Sequence, residues 1–243
     1  MKKKSVIAAI CVAVLVIIGV VLCFVLSFKG LLGFYHPLKK AEEGQIKIAC
    51  VGDSVTYGFG ITNWKENNYP AKLRQALGDK YCVNNFGYSG RCVQSAADRP
   101  YVKEALYQKS KDFAPDIVIF MLGSNDSKSF NWNRDAFIKD YLALVKSYQD
   151  LPSQPKVYVM APPPVFEVGD KVKYHIEKDT IAEEIVPLTK SLSKQLGVEC
   201  IDLYSLFEGH PEWFSDGCHP TAEGAGYIAN ELVTVLSADA FLS

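Results

Sequence analysis

The sequence has no excess of charge of either sign. Its 26 Lys and Arg residues are almost balanced by 27 Asp and Glu residues, and the formal net charge is −1. Proteins that bind nucleic acid usually present a basic face or stripe. Because nothing in the charge balance provides one, we expect no nucleic-acid partner.

Zinc-binding and repeat patterns are also missing. The seven cysteines contain no CxxC pair, no Cys/His spacing suits zinc, and no internal repeat or low-complexity segment occurs. Two cysteines lie in the apolar N-terminal run, which leaves an odd number in the rest of the chain. A Cys92–Cys218 disulfide is one expectation, and the pairing is otherwise left open among Cys50, Cys82, Cys92, Cys200 and Cys218.

Charge is absent from a long N-terminal stretch. Ser5–Phe28 contains no charged residue and follows three lysines. It is long enough to cross a hydrocarbon layer of ~30 Å as a helix, and no A-x-A cleavage pattern follows it. We therefore expect residues 1–28 to be an N-terminal membrane anchor, with secretion as the alternative if the segment is cleaved. Since lysines beside a span stay cytoplasmic, the remaining chain is expected to lie outside the cytoplasm.

The rest of the chain divides into a juxtamembrane linker, residues 29–44, and one domain, residues 45–243. In the domain, short apolar runs alternate with longer helical periods, among them a helix over Tyr69–Leu77 and a last helix that begins near Thr221. Apolar strands alternating with helices are typical of a parallel sheet between two helical layers. The predicted strands are Ile46–Val51, Tyr81–Phe86, Ile117–Leu122, Lys156–Ala161 and Val198–Asp202.

Polar motifs follow these strands where a binding site is expected. In open parallel sheets, ligands bind beyond the carboxyl ends of the strands. The loops there contain the sequences GDS at 52–54, NFGYSG at 85–90, GSND at 123–126 and DGCHP at 216–220.

These loops contain the groups that ester hydrolysis requires. A hydroxyl nucleophile needs a nearby base, and a histidine base needs a carboxylate that fixes its tautomer. Ser54, His219 and Asp216 are the candidate catalytic residues for these roles. The developing oxyanion needs hydrogen-bond donors, for which the candidates are the backbone N–H groups of Ser54 and Gly87 and the side-chain amide of Asn125.

The four motifs, in this order and at these strand ends, resemble the sequence blocks of the SGNH/GDSL hydrolase family over roughly residues 46–236. Val55 stands where the family name has leucine. The resemblance implies a flavodoxin-like three-layer α/β/α sandwich with a five-stranded parallel sheet. It also implies Ser54 as nucleophile, Gly87 and Asn125 in the oxyanion hole, Asp216 and His219 in the triad, and neither metal nor other cofactor.

Three further polar residues in these loops are not expected to be catalytic, and two of them, Asp53 and Asp126, are expected to be structural. Asp53 and Asp126 follow strands directly, where aspartate commonly binds loop backbone. Ser89 in GYSG resembles a nucleophile elbow, but G-x-S-x-G requires a glycine at position 91, which is Arg91.

The substrate is less well determined than the chemistry. The stretches FGITNWKENNYP and SKSFNWN are expected to border the pocket, and Trp64, Tyr69 and Trp132 are candidate sugar contacts. No long apolar lid segment is present, which favours a small acyl group. The motifs further resemble bacterial carbohydrate O-acetylesterases, so an acetylated glycan or another acylated small molecule is the expected substrate. The alternatives are a lysophospholipase or thioesterase, and a carbohydrate-binding protein that has lost catalysis. No oligomeric state is predicted.

Overall fold

The computed structural model describes residues 2–28 and 35–238 of the chain. All strand pairings in its five-stranded sheet are parallel, in the order β2-β1-β3-β4-β5. This is a common order among doubly wound α/β folds, and it confirms the predicted α/β sheet. The strands are β1 Ile46–Gly52, β2 Tyr81–Gly87, β3 Ile117–Met121, β4 Lys156–Ala161 and β5 Glu199–Asp202.

Helices follow the strands along the chain and cover the sheet on both faces. Alternate residues of β1 enter different apolar clusters: Ala49 and Val51 pack in one, Ile48 and Cys50 in the other. Side chains that point to opposite faces of a strand can both be buried only when both faces are covered. The helices are α1 Lys2–Phe28, α2 Ser54–Tyr57, α3 Trp64–Asn67, α4 Tyr69–Leu77, α5 Ala105–Asp112, α6 Arg134–Gln149, α7 Lys178–Thr180, α8 Val186–Leu196, α9 Leu203–Phe207 and α10 Ala222–Ala238.

Local sequence signals set several helix ends where they were predicted. The Asn68 side chain accepts the Ala71 N–H at 2.8 Å and caps α4. Thr221 caps α10 in the same way, because its hydroxyl accepts the Gly224 N–H at 3.1 Å. A π-helical turn, Ile181–Ile185, lies just before α8, whose second residue is Pro187. A proline has no N–H to donate to the preceding turn, which accounts for a distortion there.

Among the residues that the structure describes, no helix is long and apolar enough to cross a membrane. The predicted anchor over residues 1–28 is therefore not supported, although Lys2–Phe28 is helical. Part of the predicted linker, residues 29–34, lies outside the described residues, as do residues 239–243 of the predicted domain.

The described part of the predicted linker packs against the domain. The His36 ring is buried, its Nε2–H donates to the Tyr57 carbonyl at 2.8 Å, and its edge meets the Trp64 ring at 4.2 Å between centroids. Lys39 and Asn84 exchange two hydrogen bonds, at 2.8 and 2.9 Å. Burial lowers the pKa of His36 to about 4, so the ring is neutral at pH 7.

The expected Cys92–Cys218 disulfide is not formed, and all seven cysteines are free. The Cys92 thiol faces the Asp98 carboxylate at 3.7 Å, whereas the Cys218 thiol faces the Lys173 carbonyl at 3.7 Å. Each sulfur therefore has its own polar neighbour, and both residues are buried small side chains.

Candidate active site

A serine, a histidine and an aspartate meet at the carboxyl edge of the sheet. Ser54 begins α2 two residues after β1, whereas Asp216 and His219 lie between β5 and α10. The His219 Nε2 atom is 2.9 Å from the Ser54 hydroxyl oxygen, and His219 Nδ1 is 2.8 Å from Asp216 Oδ2. The structure therefore brings together the three residues that the sequence singled out, although they lie up to 165 positions apart.

The loop before Ser54 is held by Asp53. One Asp53 oxygen accepts the Val55 N–H at 3.0 Å, and the other accepts the Asn125 side-chain amide at 3.3 Å. Its carboxyl group is almost fully buried, and burial raises its pKa to about 6. Asp53 thus links the turn that carries Ser54 to the turn that carries Asn125, which is a structural position.

Hydrogen bonding around Asp216 fixes the histidine tautomer. Asp216 Oδ1 accepts the backbone N–H groups of Cys218 and His219 at 3.0 and 2.8 Å. Burial alone would raise the pKa of Asp216, but the hydrogen bond and charge of His219 and these N–H groups lower it well below its ordinary value. An ionised carboxylate only accepts hydrogen bonds, so His219 Nδ1 carries the proton. His219 Nε2 is then left to accept the hydroxyl proton of Ser54.

Two aromatic residues that the sequence analysis did not single out flank the histidine. The Phe59 and Tyr174 ring centroids are 4.6 and 5.1 Å from that of His219. The Tyr174 hydroxyl also donates to Asp216 Oδ2 at 2.8 Å. Tyr174 has a φ of +63°, which is uncommon for a non-glycine residue. No sequence signal indicated this contact, because Tyr174 lies in a short 3₁₀ turn, Lys173–His175, 42 positions from Asp216.

The predicted oxyanion donor Gly87 does not lie in the site. Its N–H donates to the Asn85 side chain at 2.8 Å, and the residue is absent from the cavity beside Ser54. Gly90, at the other end of the same motif, lines that cavity with a φ of +82°. Among the described residues its N–H has no hydrogen-bond acceptor. Gly90 is thus better placed than Gly87 to donate its backbone N–H in the site. Both glycines belong to the GYSG sequence, so the predicted loop was right and the predicted residue was wrong.

Gly87 has a packing role that a substitution can test. A Cβ at this position would contact the Tyr57 backbone nitrogen and lie 2.8 Å from the Thr56 carbonyl carbon. Overpacking of this kind typically costs about 1–3 kcal/mol. We expect Gly87→Ala to lower the free energy of unfolding by at least that amount in a urea titration.

The matched control for Gly87→Ala is Gly226→Ala in α10, where a Cβ would meet only the Lys72 side chain at 4.0 Å. Alanine is favoured over glycine inside a helix by roughly 0.5–1 kcal/mol, so this variant is expected to be neutral or more stable. Equal stability of the two variants would contradict the packing role of Gly87.

The cavity beside Ser54 has a volume of about 250 Å³ and contains Asn125 and His219 as well as Ser54. Its apolar wall includes Val55, Phe59, Val165 and Ile176. The aromatic residues expected to contact a sugar are elsewhere: Trp64 and Tyr69 are buried in the core, and Trp132 packs against a core cluster. Phe59 and Tyr174 are instead the aromatic side chains of the cavity.

Comparison with known proteins gives consistent matches. The sequence model of the GDSL-like lipase/acylhydrolase family matches residues 50–226. The chain is 34% identical over 214 residues to an acetylxylan esterase of Xylanibacter ruminicola, a match that covers 80% of this chain and 44% of the relative. The chain therefore spans less than half the length of that relative.

Solved structures with the same fold include two that are 25% identical to this chain. A candidate arylesterase of Agrobacterium tumefaciens superposes with a TM-score of 0.67, covering 80% of this chain and 99% of the other. A carbohydrate acetylesterase family member of Sinorhizobium meliloti superposes with a TM-score of 0.62, covering 80% and 98%.

Proposed function

This chain belongs to the GDSL-like lipase/acylhydrolase family, a family of serine hydrolases that act on ester bonds, and from that premise we propose that it removes O-acetyl groups from carbohydrates. The observation that carries the proposal is the continuous hydrogen-bond chain from Ser54 through His219 to Asp216. Ser54 and His219 also line a small cavity, in which a substrate can meet the serine. A serine in this arrangement is activated as a nucleophile.

The first half of the reaction transfers the acetyl group to the protein. The Ser54 oxygen attacks the acetyl carbonyl carbon while its proton passes to His219 Nε2, and Asp216 stabilises the imidazolium that forms. The oxyanion binds the Asn125 amide and the N–H groups of Ser54 and Gly90. When the intermediate collapses, the carbon–oxygen bond to the sugar breaks. The sugar oxygen then takes the proton from His219, which leaves acetyl-Ser54.

The second half releases acetate. A water molecule gives a proton to His219 and attacks the acetyl carbonyl carbon, which forms a second oxyanion in the same site. Collapse of this intermediate breaks the bond to the Ser54 oxygen, which recovers its proton from His219. Acetate leaves, and the protein returns to its starting state without a net change in protonation.

A small acyl group is supported by the size of the site. The cavity volume of about 250 Å³ is below the range of ~300–1,000 Å³ that is usual for drug-sized ligands. Its wall combines Phe59 and Tyr174 with the polar groups of Ser89 and Ser124, a mixture that suits an acetylated sugar. The relative from Xylanibacter ruminicola, an acetylxylan esterase, supports the same substrate class.

A series of p-nitrophenyl esters tests the acyl preference. We expect kcat/KM for the acetate to exceed that for the octanoate by at least tenfold. Release of acetate from acetylated xylan and from other acetylated glycans then tests the carbohydrate part. Absence of turnover on every ester would support the alternative of a carbohydrate-binding protein that has lost catalysis.

A preference for longer acyl chains is the second candidate. The apolar residues Val55, Val165 and Ile176 on the cavity wall favour it, and it corresponds to a lysophospholipase or thioesterase. Octanoate turnover well above acetate turnover would identify this function and contradict deacetylation.

Asn125 offers a direct test of the oxyanion site. Its amide nitrogen donates to Asp53 and to the Arg91 carbonyl, both at 3.3 Å, the long end of the hydrogen-bond range, so one of these weak bonds can be exchanged for a bond to an oxyanion. Loss of one such donor typically costs ~10²–10³ in turnover. We expect Asn125→Ala to lower kcat for p-nitrophenyl acetate by this factor. A kcat within threefold of wild type would remove Asn125 from the oxyanion site.

The proposal includes a location outside the cytoplasm, and this part stands on the sequence alone. Three lysines precede the charge-free run Ser5–Phe28, and lysines beside a span stay cytoplasmic. The full chain is then expected to remain with membranes after carbonate extraction. A Leu15→Lys/Ile18→Lys variant is expected to be released. Recovery of both proteins in the soluble fraction would contradict a membrane anchor.

A further inference from the structure

The cavity beside Ser54 is lined by two cationic side chains and by no acidic side chain. Lys128 and Arg99 both line it, and none of the residues that line it is an aspartate or glutamate. We propose that these two side chains form a subsite for a carboxylate carried by the substrate, so that the preferred substrate is an acetylated acidic sugar. This inference rests on the proposed deacetylation of carbohydrates and specifies its substrate class.

Lys128 is the buried member of the pair. It directly follows the short turn Ser124–Ser127, which also carries Asn125, and it is only 9% exposed. In the part of the chain that the structure describes, no carboxylate forms an ion pair with it. Removing an ammonium group from water without a partner is costly. A ligand anion in the cavity would offset that cost.

Two carboxylates whose charges act on Lys128, those of Asp98 and Asp53, already have other partners. Asp98 accepts the Asn131 side-chain amide at 2.8 Å and contacts the Cys92 thiol. Asp53 accepts the Val55 N–H and the Asn125 amide. Both acids act on Lys128 only through space. The ammonium group therefore keeps its hydrogen-bond donors for a ligand.

Arg99 supplies the second cation from the cavity mouth. Its side chain is 61% exposed, and its only ion-pair contact among the described residues is a long one of 3.9 Å to the adjacent Asp98. Its Nη1 atom lies 3.3 Å from the point that a Cβ on Gly90 would occupy. The guanidinium therefore lies beside the backbone donor of the oxyanion site. A planar guanidinium matches a carboxylate in shape and can bind it through two hydrogen bonds.

The two cations differ in how strongly water screens them. Lys128 is a buried residue of the cavity lining, where an interaction with a carboxylate is stronger than in water, whereas Arg99 is largely solvated. A carboxylate on the acetylated sugar or on its neighbour would meet Lys128 inside the cavity and Arg99 at the rim. A neutral sugar would leave Lys128 with only the through-space charges of Asp53 and Asp98.

The test compares two substrates that differ only in charge. An O-acetylated methyl glucuronoside carries a carboxylate, and the corresponding glucuronamide replaces it with a neutral group of nearly the same shape. For the wild-type full chain we expect kcat/KM to be roughly tenfold higher for the glucuronoside than for the glucuronamide. A tenfold ratio corresponds to a free-energy difference of about 1.4 kcal/mol. A ratio of one or below would overturn the subsite.

Substitutions assign the preference to the two side chains. In Lys128→Met, which keeps an unbranched side chain, the carboxylate-to-amide ratio is expected to fall to near one. In Arg99→Gln it is expected to fall by a smaller factor. Because each ratio is measured within one variant, a general loss of activity cancels. The control Lys139→Met, on the exposed face of α6, is expected to keep the wild-type ratio. A ratio that persists in a Lys128→Met/Arg99→Gln variant would overturn the assignment.

Binding measurements test the subsite independently of the proposed function. In Ser54→Ala, the two substrates can be titrated by NMR without turnover, and the carboxylate is expected to bind about tenfold more tightly. Equal affinities would overturn the subsite even if the wild type deacetylates sugars. Conversely, a wild type that hydrolyses no ester would contradict the proposed function. The difference in affinity between the two substrates would then still show whether Lys128 and Arg99 bind a carboxylate.

Discussion

Replacing Ser54 with alanine is expected to lower kcat for p-nitrophenyl acetate by about 10⁴- to 10⁶-fold, the range covered by removal of single residues of a catalytic triad. Its hydroxyl oxygen lies 2.9 Å from His219 Nε2. Alanine removes this oxygen and leaves the backbone donor of the oxyanion site and the Asp53 cap on α2 in place. Stability in thermal unfolding is therefore expected to change little.

The matched control is Ser89→Ala. Ser89 lines the same cavity, and its hydroxyl is buried without a hydrogen-bond partner among the described residues. With no base beside it, this hydroxyl cannot be activated, so the variant is expected to keep kcat within tenfold of wild type. A fluorophosphonate reagent should label the wild type and Ser89→Ala but not Ser54→Ala. Labelling of Ser54→Ala, or turnover by it near the wild-type level, would exclude Ser54 as the nucleophile.

The sheet and the main helices could be predicted because burial imposes strong patterns. Strands such as β3, with the sequence IVIFM, are apolar throughout since both of their faces are covered. The apolar residues that recur along one face of α6 at the helical period are all buried: Phe137, Tyr141, Leu144, Val145 and Tyr148. Such patterns depend on local sequence, and they fix the strand ends closely enough to identify the loops that carry Ser54, Asn125 and His219.

Features that depend on long-range contacts could not be predicted in this way. The sequence does not reveal that the Gly87 N–H is already used by Asn85, and so it did not distinguish Gly87 from Gly90. The sequence does not show which way an aromatic side chain near a predicted pocket points. Trp64, for example, points into the core and is only 2% exposed. Tyr174 contacts Asp216 from a short 3₁₀ turn that no periodic pattern in the sequence indicates.

Asp216→Asn is expected to lower kcat by about 10⁴-fold, because the substitution reverses the histidine tautomer. The Oδ1 position accepts two backbone N–H groups, so the amide oxygen of asparagine should occupy it. The amide NH₂ then takes the Oδ2 position and donates to His219 Nδ1. That leaves the proton on Nε2, where it faces the Ser54 hydroxyl and prevents Nε2 from accepting. The backbone turn is retained, so the loss should appear in kcat rather than in thermal stability.

Tyr174→Phe separates this tautomer effect from a general loss of polarity around Asp216. It removes one 2.8 Å donor from Oδ2 but leaves the carboxylate, which still holds the proton on His219 Nδ1. We therefore expect kcat to fall by less than tenfold in Tyr174→Phe, measured with p-nitrophenyl acetate beside Asp216→Asn. If Asp216→Asn were as active as Tyr174→Phe, the tautomer of His219 would not depend on Asp216. The hydrogen-bond chain from Ser54 would then end at the imidazole, and Asp216 would only shape the loop between β5 and α10.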